Sequence, residues 1–516
     1  MVIIGLDFGN FNSYTSYINH FDTNNRMSGE PRELLPSYTD GIPSVYYCSL
    51  TGKVSVCEDA VRDTATPLSN RLRYLKRNIG KTVKLLDSKN EKTIEINYDE
   101  AITAVVQSVV RTADEYLTRN FQLSSNLVSL AYPANFTVAQ RRRLIDLVEK
   151  ATLANGTKIK VYGTISEPAA AALDYLSDEN TPKKDMNVLT YDLGGGTFDV
   201  ALVSAYPKGR KDNQGNIYYN DIIDADGIKD IGGYEFDGVV YDIIKEQIPV
   251  PIKGRRIYKL KEKSREIKER LTKVGPNDEI NSIFEVGDDE YRFTVSRKEF
   301  ERKSYHLLKQ TIDKTIQFLN RHKDQKPDLI LLAGGASQMP MVKEALEKAL
   351  PEYRGKVKSF RPAMAISFGA ARFGTIEKND DPAKHTIVKR LNYDLGIKYV
   401  NGENDKNGFI KVLAKAGDKL PLNNSCTGLT VSKGLTRTTY NVFEAKGDNA
   451  DIYKVSSDWT HVVVCEVLYG REMPKGSKSE AIINIDRNGL LKIQARDLTK
   501  PDAPYFKNEI VLKNLS

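Results

Sequence analysis

Apolar and polar residues follow two different periods along this chain, and the periods divide it into two regions. Apolar runs at Val2–Ile4 and Val188–Leu189 predict buried strands. Amphipathic stretches at Tyr98–Arg119, Gln140–Ala154 and Arg297–Arg321 predict helices. Because strand and helix patterns alternate as far as residue 379, the sequence predicts an α/β body for the first region.

The second region begins after a polar stretch, Glu377–Pro382, in which the periodic pattern fails. Short segments of strict alternation follow, separated by turns rich in Gly, Asn and Asp. They are Gly408–Leu413, Thr438–Glu444, His461–Leu468, Ala481–Ile485 and Leu490–Ala495. An Asn488-Gly489 pair predicts a hairpin turn between the last two. We therefore predict a linker at residues 380–391 and an all-β sandwich at residues 392–516.

A glycine turn between two predicted strands carries the clearest chemical signal. Asp192 precedes three consecutive glycines at residues 194–196, and Asp199 follows them. Successive glycine N–H groups can form a concave nest for phosphate oxygens. The flanking carboxylates suit a hydrated Mg²⁺, which takes one or two carboxylates and keeps most of its waters. The turn therefore predicts a site for phosphate and magnesium.

The same arrangement occurs at the start of the chain. The strand at Val2–Ile4 leads directly into Asp7 and Gly9. A strand, a carboxylate and a tight glycine turn thus occur twice, far apart in the sequence. We expect two similar lobes that face one cleft.

Composition excludes several classes of protein. The 516 residues are 40% hydrophobic and 28% charged, which is typical of a soluble protein with more than one core. No apolar run approaches the roughly 18 residues of a membrane span, and Asp7 comes too early for a signal peptide. We expect a cytoplasmic protein that does not bind a membrane.

Charge and cysteine spacing add two further expectations. The formal net charge of +8 is small for this length, and the densest basic stretch, Lys253–Lys273, is interrupted by glutamates. Glu266 precedes Arg270 by four residues, a spacing that favours a solvated helix over a nucleic-acid surface. The four cysteines lack C-x-x-C spacing and the five histidines are scattered, so reduced thiols are expected rather than disulfides or zinc.

A series of short motifs then identifies a family. They are Gly5–Gly9, Leu75–Gly80, Tyr132–Phe136, Ile165–Ala171, Asp192–Asp199, Ile231–Asp237 and Leu332–Ala336. In this order and spacing they resemble the seventy-kilodalton heat-shock chaperones, whose ATPase shares its fold with actin and the sugar kinases. Actin and the sugar kinases share only the two glycine turns and the late Gly-Gly pair, so Ile165–Ala171 and Ile231–Asp237 point to the chaperones. The resemblance implies an actin-like, two-lobed ATPase domain at residues 1–379 and a peptide-binding β-sandwich after the linker.

The resemblance also implies catalytic roles. Phosphoryl transfer to water needs positioning and charge neutralisation more than covalent help. Lys76 is accordingly expected beside the γ-phosphate, Glu167 beside the attacking water and Thr197 against the γ-phosphate. Asp7 and Asp199 are expected to hold the hydrated Mg²⁺ through water.

The implied ligands are ATP or ADP with Mg²⁺, and the resemblance admits K⁺ as a further ion. The remaining cofactor residues are expected around the phosphates, with Lys268 facing the nucleoside. They are Asp7, Gly9, Asn10, Phe11, Asp192, Gly194, Gly195, Gly196, Gly232, Gly233, Lys268, Gly334 and Gly335. In the β domain the peptide site is expected at Tyr440 and Val442.

The chain departs from the family around the nucleotide. Asn10 stands where the family has a threonine, which exchanges a hydroxyl for an amide. The two arginines that usually sandwich adenine in the family align with Glu269 and Gln338. Arg270 takes the place of one of these arginines only if the helix is aligned one residue further along. Adenine is therefore expected to lose its stacking cations.

The linker and the peptide site depart as well. The family's leucine-rich linker ending in Asp aligns with His385–Lys389, which reverses the charge at its end. Tyr440 aligns with a small aliphatic residue of the family's peptide pocket. If the alignment is shifted by one residue, the Tyr440 side chain instead points out of the pocket. No helical lid precedes the end at Ser516, so the chain is expected to be either shortened or naturally lidless, with fast peptide exchange.

Three functions follow from these features. The first is an ATP-hydrolysing chaperone, active in protein folding and the stress response, whose nucleotide state controls its affinity for unfolded polypeptide. The second is a weakly hydrolysing relative that serves another chaperone as partner or nucleotide-exchange factor. The third, a small-molecule kinase, is disfavoured by the C-terminal β region. The expected partners are extended polypeptides and co-chaperones or another chaperone, without nucleic acid, and the chain is expected to be a monomer.

Overall fold

The computed structural model describes the chain in segments. These are residues 2–18, 31–35, 41–49, 52–62, 70–86, 93–178, 180–211, 217–379, 387–388, 390–391, 393–400, 405, 408–430, 433–445, 452–454, 459–485, 490–500, 502–503 and 505–511. Within these residues, no helix has the length and apolar character needed to cross a membrane.

The chain forms two compact units. Unit 1 comprises Met1–Asn135, Arg143–Gly209 and Ala225–Pro382. Unit 2 comprises Phe136–Arg142, Arg210–Asp224 and Ala383–Ser516. The structure thus groups two short segments of the predicted ATPase domain, together with residues 383–391 of the predicted linker, with the β region.

The strands up to residue 388 are β1 (Ile3–Asp7), β2 (Asn12–Ile18), β3 (Arg32–Glu33), β4 (Ile42–Pro43), β5 (Tyr46–Cys48), β6 (Val54–Val56), β7 (Arg71–Leu72), β8 (Thr82–Leu86), β9 (Thr93–Asn97), β10 (Leu127–Tyr132), β11 (Lys160–Ser166), β12 (Met186–Leu193), β13 (Phe198–Lys211), β14 (Ile217–Ile228), β15 (Glu279–Val286), β16 (Asp289–Ser296), β17 (Leu329–Ala333), β18 (Val357–Ser359) and β19 (Ile387–Val388).

The helices are α1 (Cys57–Arg62), α2 (Tyr98–Phe121), α3 (Val138–Lys150), α4 (Glu167–Ser177), α5 (Gly233–Gln247), α6 (Arg255–Leu271), α7 (Arg297–Arg321), α8 (Pro340–Ala349) and α9 (Ala365–Asn379). Short 3₁₀ turns occur at Lys76–Asn78, Gly335–Gln338 and Pro351–Tyr353. The predicted helices at the positions of α2, α3 and α7 are confirmed, and the basic stretch forms α6.

The expected repeat of a strand and a glycine turn is present as a repeated sheet topology. One sheet has the order β11-β10-β1-β2-β3, and the other has β18-β17-β12-β13-β14. In each, a central strand pairs antiparallel with the strand that follows it and parallel with a later strand. Parallel central strands are buried on both faces, which explains why β1 and β17 are apolar along most of their length.

Helices α4 and α9 fix one side of the first sheet. Their backbones touch so closely that a Cβ atom on Gly369 would lie 1.8 Å from the carbonyl oxygen of Ala170. Helix α9 also packs against β1. This packing fixes where Glu167, the first residue of α4, lies relative to Asp7, the last residue of β1.

The remaining strands form the sandwich of unit 2, as the alternation predicted. They are β20 (Asp394–Tyr399), β21 (Phe409–Ala414), β22 (Leu422–Leu429), β23 (Leu435–Ala445), β24 (Ile452–Lys454), β25 (Thr460–Met473), β26 (Lys478–Ile485), β27 (Leu490–Asp497) and β28 (Phe506–Val511). The two sheets have the orders β24-β21-β20-β23-β25 and β22-β26-β27-β28. Strands β26 and β27 pair antiparallel as expected, and their Asn488-Gly489 turn lies outside the described residues.

Two described residues of the predicted linker form a short strand. Ile387 and Val388 pair in parallel with Asn220 and Asp221 of β14, within unit 2. Two residues further on, the guanidinium of Arg390 donates to both carboxylate oxygens of Asp221, at 2.9 and 2.7 Å. The predicted charge reversal at Lys389 lies outside the described residues.

Candidate functional site

The two glycine turns of unit 1 lie at equivalent places in the two sheets. Asp192 and Asp199 face each other across the β12–β13 hairpin, and the N–H of Gly194 donates to the carbonyl of Thr197 at 3.0 Å. The first turns of α5 then fasten this hairpin, because the N–H groups of Gly233 and Tyr234 donate to its glycine carbonyls. The turn is therefore a fixed structure rather than a flexible loop.

Most residues predicted to bind nucleotide line one cavity of about 480 Å³. They are Asp7, Gly9, Asn10, Phe11, Lys76, Glu167, Asp192, Gly194, Gly195, Thr197, Gly233, Lys268, Gly334 and Gly335. The structure thus brings together residues from both glycine turns, the Lys76 turn, α4, α6 and the end of β17.

Gly196, Gly232 and Asp199 do not line this cavity; they lie in the packing around it. A Cβ atom on Gly232 would lie 2.6 Å from the backbone of Gly196. Asp199 is buried, and its Oδ1 accepts a hydrogen bond from the backbone N–H of Asn135 at 3.2 Å. Gly196 and Gly232 therefore serve the shape of the turn through the contact between their backbones.

Lys76 and Glu167 form a buried ion pair in the cavity, where the γ-phosphate is expected. The 3₁₀ turn at Lys76–Asn78 presents the lysine, and the N-terminus of α4 presents the glutamate. Burial alone would lower the pKa of Lys76, but the carboxylates of Glu167, Asp7 and Asp199 raise it above its ordinary value. Lys76 is therefore a cation held among carboxylates.

The surroundings of the aspartates in the two turns raise the pKa values of these carboxyls. Burial first, and then the negative charge of Glu167, raises the pKa of Asp7 to about 7 and that of Asp199 to about 8. Burial and the neighbouring carboxylates raise the pKa of Asp192 well above its ordinary value. These carboxylates are close enough to repel one another, so a bound cation would favour their ionised forms.

Two atoms of this cluster suit the implied Mg²⁺. Asp192 Oδ1 and Asp199 Oδ2 are buried and have no hydrogen-bond partner among the described residues. Gly334 makes room beside the first, because a Cβ atom at this positive-φ residue would lie 2.3 Å from Asp192 Oδ1. Carboxylate oxygens and water are the ligands that Mg²⁺ prefers, so the donor set fits this ion.

Asn10 joins the first glycine turn to the Lys76 turn. Its Oδ1 accepts a hydrogen bond from the backbone N–H of Arg77 at 3.0 Å. The Arg77 guanidinium in turn donates to Glu235 at 2.7 Å and to Asp230 at 3.0 Å. The Asn10 amide, at the position of the family's threonine, therefore links the first glycine turn to the turn that carries Lys76.

Helix α6 forms one wall of the cavity, and the nucleoside is expected beside its residue Lys268. The Lys268 ammonium lies 2.6 Å from an oxygen of Asp237 and donates to the Gly233 carbonyl at 3.0 Å. Glu269 and Gln338 line the cavity at the positions aligned with the adenine-stacking arginines. Arg270 does not line it and pairs with Glu266 at 3.4 Å, so the structure gives no support to Arg270 as a stacking residue.

Sequence reasoning missed some cavity residues. Tyr74, Asp237 and Arg265 all line the cavity. Asp237 could have been found as the last residue of the Ile231–Asp237 motif. Arg265 precedes Glu269 by four residues and therefore lies on the same helix face, a spacing that the sequence contains.

The two predicted peptide-site residues lie inside the sandwich of unit 2. Tyr440 and Val442 are both buried in the core between the sheets. The Tyr440 hydroxyl hydrogen-bonds Ser479 Oγ at 2.6 Å, and a Cβ atom on Gly428 would lie 2.9 Å from that hydroxyl. The Tyr440 side chain therefore points inward and fills the space beside Gly428, while its role in peptide binding stays a prediction.

A comparison with protein-family models agrees with the sequence motifs. Residues 3–510 match the family model described as Hsp70 protein. The match includes both glycine turns, Lys76, Glu167 and the β-sandwich, so it covers every residue of the candidate site.

Proposed function

Since this chain belongs to the Hsp70 family, we propose that it is an ATP-dependent chaperone in which Mg–ATP binding and hydrolysis control affinity for apolar peptide segments. The family consists of chaperone-type ATPases that bind ATP or ADP with Mg²⁺ and act on unfolded polypeptides. We assign the nucleotide to residues 1–379 and the peptide to residues 392–516. We also propose that the protein is a cytoplasmic monomer that works with co-chaperones.

The observation that supports hydrolysis best is the buried Lys76–Glu167 pair beside Thr197 in the cavity between the two glycine turns. Lys76 would compensate the charge that develops on the γ-phosphate. Glu167 would accept a hydrogen bond from the attacking water and orient it. Bound Mg²⁺ would neutralise negative charge on the phosphate oxygens. Asp7 and Asp199 would hold the water ligands of the ion.

A single-turnover ATPase measurement with wild type and Lys76→Ala tests this proposal. The wild type should bind Mg–ATP and hydrolyse it slowly, whereas Lys76→Ala should still bind it and lose turnover. Arg270→Gln serves as a control, because Arg270 lies on α6 outside the cavity. Equal hydrolysis by wild type and Lys76→Ala would contradict the role given to Lys76.

A second function is favoured by particular residues of the site. Asn10 replaces a hydroxyl at the phosphate turn, and Glu269 and Gln338 replace the adenine-stacking arginines. These changes suit a relative that binds ATP, hydrolyses it poorly and acts as partner or exchange factor for another chaperone. Binding without hydrolysis in both wild type and Lys76→Ala would favour this function over the first.

The coupling between nucleotide and peptide needs its own experiment. We propose that the short strand at Ile387–Val388, which pairs with β14, transmits the nucleotide state. Two sites that share a two-state element must influence each other reciprocally. Peptide release should therefore be faster with ATP than with ADP, as measured by fluorescence. Identical release rates in both states would indicate uncoupled sites.

A further inference from the structure

The Phe11 ring stacks against two guanidinium groups. The Arg265 Cζ lies 3.1 Å from the ring centroid, and the Arg73 Cζ lies 4.4 Å from it. Both distances are within the range of cation–π attraction. Phe11 and Arg265 line the nucleotide cavity, whereas Arg73 does not.

This stack stands in the cavity where the phosphates are expected. Phe11 follows Asn10 in the first glycine turn, and its Cβ atom lies only 3.5 Å from where a Cβ atom on Gly195 would be. The Cβ atom of Phe11 thus lies close to the second glycine turn, and the Phe11 ring holds the Arg265 guanidinium beside the first turn. Helix α6 supplies the guanidinium from the opposite wall.

Among the described residues, four cations line the cavity, namely Lys76, Arg265, Lys268 and Lys273, and Arg265 is the one that stacks on Phe11 at the first glycine turn. Lys76 is paired with Glu167, and Lys268 is paired with Asp237. Within the described part of the chain, the one carboxylate that contacts the Arg265 guanidinium is Glu269, at 2.8 Å from Nη2. A guanidinium carries five N–H donors in a fork that matches phosphate oxygens.

We propose that Arg265, held by the Phe11 ring and by Glu269, is a phosphate clamp that binds the polyphosphate of the nucleotide from the α6 wall. The inference rests on the proposed function, because it concerns the same nucleotide. Phe11 is a positioning residue that keeps the guanidinium plane in place, and Glu269 holds its far side.

Calorimetry on the full chain with ATP, ADP and adenosine tests the clamp. Arg265→Gln should weaken ATP and ADP binding by about ten- to hundredfold, the range of a charge-assisted hydrogen bond. Adenosine, which lacks phosphate, should bind as it does to the wild type. Phe11→Leu should weaken ATP and ADP binding less than Arg265→Gln does, and it should also leave adenosine binding unchanged. Arg265→Lys should bind ATP more tightly than Arg265→Gln, because it keeps the positive charge.

Arg270→Gln is the matched control, because it removes the same charge from an outward position on the same helix. Unchanged ATP affinity in Arg265→Gln would overturn the clamp. An equal loss for adenosine and ATP would also overturn it, because Arg265 would then stack on the base. A wild type that binds no ATP at all would instead refute the proposed function, and the clamp with it.

Discussion

The side-chain oxygen of Asn10 accepts a hydrogen bond from the backbone N–H of Arg77 at 3.0 Å. Asn10 belongs to the first glycine turn, and Arg77 directly follows Lys76. One partly buried hydrogen bond therefore ties the first glycine turn to the catalytic lysine predicted from the sequence. Its length and burial make it part of the geometry on which hydrolysis would depend.

Asn10→Ala should lower the single-turnover rate of ATP hydrolysis more than the affinity for ATP. The substitution leaves a backbone N–H without its acceptor, at a cost of about 1–3 kcal/mol in the free energy of unfolding. It also lets the Lys76 turn shift, and a displacement of about 1 Å can lower a rate by about a hundredfold. Arg77→Ala is the control, because it keeps the backbone N–H. If both variants lose rate equally, the hydrogen bond is not what positions Lys76.

Lys76→Met should destabilise the nucleotide-free chain more than the double variant Lys76→Met with Glu167→Gln does. Removing one partner of a buried ion pair leaves an uncompensated charge and costs about 3–5 kcal/mol. Neutralising Glu167 as well removes that charge. Chemical denaturation of the three proteins measures the difference. A double variant that is no more stable than Lys76→Met would show that Glu167 is not left charged and buried.

The nucleotide-free chain should lose stability as the pH rises from about 4 to 8, the interval between the ordinary and the raised pKa values of these carboxyls. Burial raises the pKa of Asp7 to about 7 and that of Asp199 to about 8 in the folded state, from an ordinary value of 3.8. The folded chain therefore binds more protons than the unfolded chain, and the stability that these groups contribute is lost as the pH passes through the raised pKa values.

Thermal unfolding of wild type and Asp199→Asn across this pH range measures the effect. The unfolding temperature of the variant should decrease less than that of the wild type over the same range, because the amide introduced at this position does not ionise. Mg–ATP should reduce the decrease in the wild type, since a bound cation favours the ionised carboxylates. If the unfolding temperatures of the two proteins changed with pH in parallel, Asp199 would not contribute to the pH dependence of stability.

Tyr440→Val should strengthen binding of peptides with bulky apolar side chains. The ring and hydroxyl of Tyr440 fill the core beside Gly428 and Ser479, so a smaller residue opens space there at about 2–5 kcal/mol in stability. Tyr440→Phe is the matched control, because it removes the hydrogen bond and keeps the volume. Fluorescence anisotropy with labelled peptides measures affinity. The peptide-site prediction would be wrong if neither variant nor the wild type bound any apolar peptide.

The sequence by itself determined the elements and the local turns. The period of helix α7 predicts Arg297–Arg321, and its N-terminus is set by Ser296, whose side chain accepts from the Glu299 N–H. The glycine hairpin was predictable because its glycines and carboxylates are neighbours in the chain. Lys76 and Glu167 were predictable as site residues because they lie in motifs that resemble those of the family. Local patterns suffice wherever the residues that act together are close in sequence.

Only the tertiary structure decided which distant residues meet. Asn10 and Arg77, Phe11 and Arg265, and Lys268 and Asp237 come from separate segments. Their contacts depend on how the two glycine turns, α5 and α6 pack, and no period in the sequence encodes that packing. The raised pKa of Asp199 has the same origin, because burial and the charge of Glu167 cause it. Spacing along a chain fixes which face of a helix a residue shares, whereas burial and long-range contacts arise only when separate segments pack together.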